Sequence, residues 1–550
     1  MNRISTALLC ALPLLAFGCT STKAQTPPID LSRVANNAGA LQTAFDGRGL
    51  VRLSYNGATL TDVNANGGAA FSVGDVHFLG ANGTVTKENS GEARRSWDAA
   101  SKTLTFSYDW GRVMCQYETS GARLNLNITV VNSGRVTLAG LNLFPIGVQF
   151  RGFPDGFDAH TPHVNFNVDG PTVQSADFAQ GRLTVVNREV TKPLAVGFLN
   201  AGDTAKTFRY NVYIGSAPLW YQPGNWPKFT RPIAPGARDE YQISLRFSPA
   251  NADNAGADVL RDFAKAHPMT LNWADRRPIA SLFLSSADNH SPANPRGWFN
   301  NAKDVDVISA AGRAQFRQRV LDYARESVKQ LRNVGAQGMI TWDIEGQQYP
   351  HATSYIGDPR LLNRLAPEME PIADEYFRVF RDAGLKVGVC VRPQQLTFGA
   401  DGKPDQKYVA NEAALLIDKI GYAKKRWGAT LFYVDSNGGP FDPSDAEIFR
   451  RVAAAFPDVL LMPEHQNFKY QAYTAPYNDL RFESAITPAE VRTAYPRAFS
   501  VIKGEVPQLT KRRAELVRAV RAGDILVFNG WYESDEGKLV KSIYAQAKGN

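Results

Sequence analysis

Two kinds of hydrophobic patterning divide the chain. From about residue 30 to 250, apolar and polar positions alternate in short segments such as GLVRLSYNGATLTD (49–62), KTLTFSYDWGRVMCQYET (102–119) and ARLNLNITVVNS (122–133). Leu124, Leu126, Ile128 and Val130 fall on one face of a strand, and Asn125, Asn127 and Thr129 on the other. Gly, Asn and Ser punctuate the segment ends. This period of two with turn residues between predicts a large antiparallel β-sandwich over 31–250. Helical period first appears in ADNAGADVLRDFAKAH (252–267), read as a linker helix within 251–275.

Beyond 276 the pattern changes. PIASLFLSS (278–286), GMITWDIEG (338–346), KVGVCVRPQ (386–394), ATLFYVDSN (429–437), VLLMPEHQ (459–466), AFSVIKGE (498–505) and DILVFNGWY (524–532) are short apolar runs. Amphipathic segments lie between most of them, such as 313–334, 373–384, 411–428 and 445–456, with Gly335 and Gly384 where helix C-caps are expected. A poorly defined strand near Leu480–Phe482 brings the number to eight. Repeated βα units without a Gly-rich dinucleotide fingerprint predict a (β/α)₈ barrel over 276–550 rather than a doubly wound sheet. The fold class expected is therefore multidomain, β followed by α/β.

Composition narrows the class. The chain has 550 residues, 44% hydrophobic and 11% aromatic, long enough for two or three domains and too apolar for a disordered chain. The net charge of +8 is spread along the sequence without a polybasic run, so no nucleic-acid partner is indicated. Residues 1–19 combine Arg3, a short apolar stretch and the ending Ala16-Phe17-Gly18-Cys19, an export signal rather than a spanning helix. That ending resembles a bacterial lipobox, which implies lipidation of Cys19 and a bilayer anchor. The residues Thr20 and Ser21 that follow point to an outer-membrane or cell-surface lipoprotein; plain secretion or a periplasmic location is the other outcome. Residues 20–30 read as a polar tether. Cys115 and Cys390 then remain, in different domains, as two buried thiols; no metal or cofactor site is indicated.

The chemistry lies at the ends of the barrel runs. Asp435 ends run four and Glu464 ends run five, 29 positions later. Carboxylates at the C-terminal rim of adjacent strands are the equipment of glycoside hydrolysis: one protonates the leaving oxygen, the other attacks or activates water. Strand spacing of about 4.8 Å favours the short, retaining separation. Asp435 is the expected nucleophile and Glu464 the expected acid/base. Asp343 and Glu345 end run two; only one is expected to face the axis, Asp343 to meet sugar hydroxyls and Glu345 to be structural or the second carboxylate. Arg392 is expected to pair with a carboxylate of the site. Gln394, Asn437, His465 and Asn529 complete a polar wall, and Trp298, Trp342 and Trp531 are stacking candidates. The scattered histidines do not form a metal set.

A sandwich ahead of a barrel, with Asp435 in an F-Y-V-D pattern, resembles the retaining α-glycosidases of the melibiase and α-glucosidase type. An acid/base Glu on strand five is closer in layout to the endo-α-N-acetylgalactosaminidase families. The resemblance implies a mutarotase-like sandwich and cleavage of α-linked oligo- or polysaccharide through a covalent glycosyl-Asp intermediate. The rival expectation is a non-catalytic carbohydrate-binding surface lipoprotein with the same cleft. A lyase or transglycosylase would use a similar one.

Overall fold

The computed structural model describes residues 41–549 except 62–70, 152–163, 166–169, 193, 205–206, 217–230, 250–254, 300–301, 303, 348–355, 401–403, 440–441, 483–485 and 531–533. The alternating half folds as two antiparallel sheets face to face. One runs, in spatial order, through Val173–Phe178, Gly181–Asn187, Arg238–Ser248, Arg123–Asn132, Gly111–Ser120, Thr103–Tyr108 and Arg94–Asp98. The other is built around Ala195–Thr204, Thr207–Gly215, Thr137–Phe144 and Ser72–Leu79. Leu124, Leu126, Ile128 and Val130 point into the shared core, while Asn125, Asn127 and Thr129 are only half-buried. Cys115, opposite Ile128 in the ladder, is fully buried in that core. A short three-stranded sheet, Gln42–Asp46, Gly49–Tyr55 and Ala58–Thr59, packs its Leu50, Leu53 and Tyr55 onto the same core.

The helix Ala257–Ala266 follows, its Leu260 and Phe263 joining the outer core of the barrel. Arg246 of the sandwich donates to Asp258 of this helix at 2.5 Å, tying the two parts; all the described residues belong to one compact unit.

Eight parallel strands form the second half: Ile279–Leu282, Gly338–Thr341, Lys386–Val391, Leu431–Val434, Leu460–Pro463, Tyr477–Asp479, Val501–Lys503 and Ile525–Asn529, called strands one to eight. Ladders join strand five to four, four to three, three to two, two to one, one to eight, eight to seven and seven to six. The ring closes between five and six with a bond from the Ala475 N–H to the Leu461 carbonyl (3.0 Å) and a Gln466–Asn478 side-chain bond. Strand six lies three residues before the expected Leu480–Phe482, which is a 3₁₀ turn. Gly335 caps Ala310–Val334 at φ 78°, and Gly384 takes φ 76° just after Glu370–Asp382, both as expected. No helix among the described residues is long and apolar enough to cross a membrane.

The strands are near-continuously apolar because both faces are covered. Ile279, Ile340, Trp342, Cys390, Leu431, Tyr433, Leu460, Met462, Val501 and Val527 fill the axis, closed below by Leu271. The alternate residues Ala280, Met339, Val389, Phe432, Leu461 and Leu526 belong to the outer core under the helices.

Candidate active site

Period-two alternation carries the axial parity up to the mouth of the barrel. Two residues beyond Cys390, Tyr433, Met462, Tyr477, Val501 and Val527 come Arg392, Asp435, Glu464, Asp479, Lys503 and Asn529. A cavity of about 850 Å³ opens there. Its floor is aromatic: Phe283 stacks on Trp342 (centroids 5.5 Å apart), Trp342 meets Tyr433 (4.6 Å) and Tyr433 meets Tyr477 (4.9 Å). Such a floor with polar walls suits a pyranose, whose C–H faces are apolar and whose rim is hydroxylated.

Glu464 and Asp435 converge on one residue. The Ser436 N–H donates to Glu464 Oε2 (2.9 Å), and Ser436 Oγ donates to Asp435 Oδ2 (3.2 Å). Ser436 holds a left-handed backbone, φ 53°, which an L-residue adopts only when its surroundings impose it. Its carbonyl accepts from Gln394 Nε2 (2.7 Å) and from the Tyr408 hydroxyl (3.3 Å). The turn after strand four is thus clamped from three neighbours.

The two carboxylates differ in access. Glu464 lines the cavity and its side chain is 35% exposed. Asp435 is 3% exposed, lies behind the cavity wall and is bound to Arg392, itself 7% exposed. Burial pushes the Asp435 carboxyl up to about 6; Arg392 pulls it down, and the Glu464 charge adds to the rise. Arg392 also donates to Gln406 at 2.5 Å. His465 Nε2 stands 3.6 Å from Glu464, and burial lowers its imidazole below the ordinary value, favouring the neutral form.

A fully buried lysine supports this side from below. Lys419, on the helix Glu412–Trp427, donates to the carbonyls of Arg392 and Gln394, both at 2.8 Å, and lies 3.5 Å from Asp358. It fixes the segment that carries both residues touching Asp435 and Ser436.

Strand two departs from expectation. Asp343 and Glu345 share a parity, two residues apart, and neither faces the axis; Trp342 does. Asp343 is fully buried and accepts from the Leu284 N–H (2.8 Å), the Ser285 N–H (2.8 Å) and Ser285 Oγ (2.6 Å), so its oxygens serve the loop after strand one instead of sugar hydroxyls. Glu345 is also fully buried, accepts from the Asp358 N–H (2.9 Å), and is pushed up to about 8 by burial. Trp298 is a core residue as well: fully buried against Phe316, its indole N–H donates to Glu368 at 2.7 Å. Asn437 exchanges bonds with the His465 backbone (2.7 and 3.0 Å), stitching the turns after strands four and five. Gln394 and Arg392 lie behind the wall, whereas His465, Trp342 and Asn529 line the cavity. Trp531 and Cys19 lie outside the described residues.

Several wall residues had not been singled out from the sequence. Asp479 lines the cavity from strand six, next around the ring from Glu464, and Arg481 grips both its oxygens (3.0, 3.0 and 2.6 Å). Arg481 reaches Glu505 too, at 3.2 Å, and Lys503 pairs with Glu536 at 2.5 Å. The cations of the wall are therefore matched by carboxylates. The signal that finds Phe283, Tyr433 and Tyr477 is the axial parity itself.

No protein-family model matches the chain, and no curated protein does. Solved structures align with it over most of its length at low identity. The α-N-acetylgalactosaminidase NagBb from Bifidobacterium bifidum, in complex with GalNAc, is 10% identical, with 94% of this chain and 92% of that one covered and a TM-score of 0.48. An α-galactosidase from Lactobacillus brevis is 12% identical over 94% and 73%, with a TM-score of 0.42. The GH36 α-galactosidase AgaA from Geobacillus stearothermophilus is 12% identical over 87% and 75%, with a TM-score of 0.40. Likeness at this level says nothing of activity.

Proposed function

We propose that the chain is an exported glycoside hydrolase, lipid-anchored through Cys19, that cleaves α-linked oligo- or polysaccharide with retention of configuration. The observation that carries this reading is the meeting of Asp435 and Glu464 at Ser436 beside an aromatic-floored cavity. Glu464, open to the cavity and accepting from the Ser436 N–H, protonates the leaving oxygen. Asp435 attacks the anomeric carbon, and Glu464 then draws the proton from the water that releases the sugar. For that attack an oxygen of Asp435 must turn out from Arg392 when substrate enters, a tightening of the kind that empty sites show on binding.

The test is turnover of a panel of α-glycosyl fluorides and α-linked oligosaccharides by wild type and Glu464→Gln. The variant should lose about 10²–10⁴-fold in kcat on oligosaccharides. It should lose far less on fluorides, whose departure needs little protonation. Equal losses on both remove Glu464 from the acid role.

One observation favours a second reading, a carbohydrate-binding protein without turnover: Asp435 is sealed behind Arg392 and does not line the cavity. Calorimetric binding of oligosaccharide with no product from any of the panel would select it.

A further inference from the structure

Three large apolar side chains left in water stand at or beside the mouth of the barrel. Among the described residues five are exposed, Val136, Ile308, Tyr408, Phe482 and Val506. Tyr408 reaches the Ser436 carbonyl, Phe482 lines the cavity, and Val506 directly follows the lining residue Glu505. Phe482 is 77% exposed, against 4% for Trp342 and Tyr433 on the floor. The cavity therefore has two aromatic levels, a closed inner one and an open outer one.

Phe482 is not a loose core residue. It sits in the 3₁₀ turn Leu480–Phe482 directly after strand six, and the Arg481 guanidinium lies 5.5 Å from its ring centroid. Asp479 and Glu505 fix that guanidinium in turn. A ring so positioned and so bare has its remaining surface available to a ligand. It also follows the strand adjacent to the one bearing Glu464, the side on which a protonated leaving group departs.

We propose that Phe482 is the platform of a leaving-group subsite. The sugar beyond the scissile bond lays its C–H face on this ring, so the natural substrate is an α-linked oligosaccharide that continues out of the cavity. The cavity wall is acidic in balance, with Glu464, Asp479, Glu505 and Glu536 against Arg481 and Lys503, which fits a neutral chain better than a sulfated or uronic one. This inference rests on the hydrolase reading.

The experiment compares wild type, Phe482→Ala and Phe482→Trp on two probes: α-hexopyranosyl fluorides, which have no leaving-group sugar, and the matching α-linked trisaccharides. Phe482→Ala should raise KM for the trisaccharide by roughly ten-fold, the loss of one stacked ring. It should leave fluoride turnover unchanged, and Phe482→Trp should restore the trisaccharide KM. Equal changes on both probes, or none on the trisaccharide, overturn the subsite. If wild type turns over neither probe, the hydrolase reading itself falls. Calorimetric titration with the trisaccharide then judges the ring alone, and equal affinity for wild type and Phe482→Ala overturns it too.

Discussion

The rim of strand two and the rim of strands four and five carry the same residue types and serve different ends. Asp343 and Glu345 stand off the axis, fully buried, one accepting from backbone and hydroxyl of a neighbouring loop and the other from a backbone N–H. Asp435 and Glu464 stand on the axial parity, one residue past their strands, and meet at Ser436. A carboxylate at a strand end is thus not informative until its parity is counted from the axial core. Off the axial parity both carboxylates hold loops together; on it Glu464 faces the cavity while Asp435 stays buried on Arg392.

The largest effect that can break this contrast comes from Asp435→Asn set beside Asp343→Asn. Asp435→Asn should abolish turnover, at least about 10³-fold in kcat, while leaving the protein folded, since burial already disfavours a charge at this position. Asp343→Asn should lower stability by about 1.5–3 kcal/mol through its lost charged hydrogen bonds, with kcat/KM within a few-fold of wild type. Denaturant unfolding and kinetics on the same samples decide it. A folded Asp343→Asn enzyme without activity would erase the distinction between the two rims.

A smaller effect separates strand five from strand six. Asp479 has both oxygens taken by Arg481, whereas Glu464 accepts from one backbone N–H and faces the cavity. Asp479→Asn should therefore reduce kcat on oligosaccharides less than Glu464→Gln does. The reverse order would move the proton donor to strand six.

The smallest is a displacement along the pH axis. Asp435 must be ionised to attack, and burial holds its carboxyl at about 6, so kcat/KM should fall about ten-fold per pH unit below that value. The sign for stability is opposite. A carboxyl raised above its unfolded value favours the protonated fold, so this group's contribution is present at low pH and lost as pH rises through about 6. In Glu464→Gln the Coulombic push is gone, and the acid limb, read on a glycosyl fluoride, should move to lower pH. An unmoved limb would separate the two carboxylates electrostatically.

Much of this arrangement was legible in the residues. Alternation in ARLNLNITVVNS marked the sandwich, and repeated apolar runs ending in polar groups marked seven of the eight barrel strands. Strand six was placed three residues late because Tyr477–Asp479 is three residues long, follows Pro476 and carries two polar side chains, so no apolar run marks its bounds. Asp479 was overlooked with it. Asp343 was misplaced by treating neighbours two apart as opposite faces, although Trp342, in step with Ile340, already claimed the axis. Trp298 was misjudged because a loop tryptophan gives no sign of its depth; its place under Phe316 depends on a helix that begins a dozen residues later.

The buried thiols Cys115 and Cys390 sit one in the sandwich core and one on the barrel axis, so each is shielded by a different half of the molecule. A maleimide added to the native protein can label either only when that half opens. Mapping which peptide acquires the tag, as a function of urea, would time the two openings independently and without any engineered reporter.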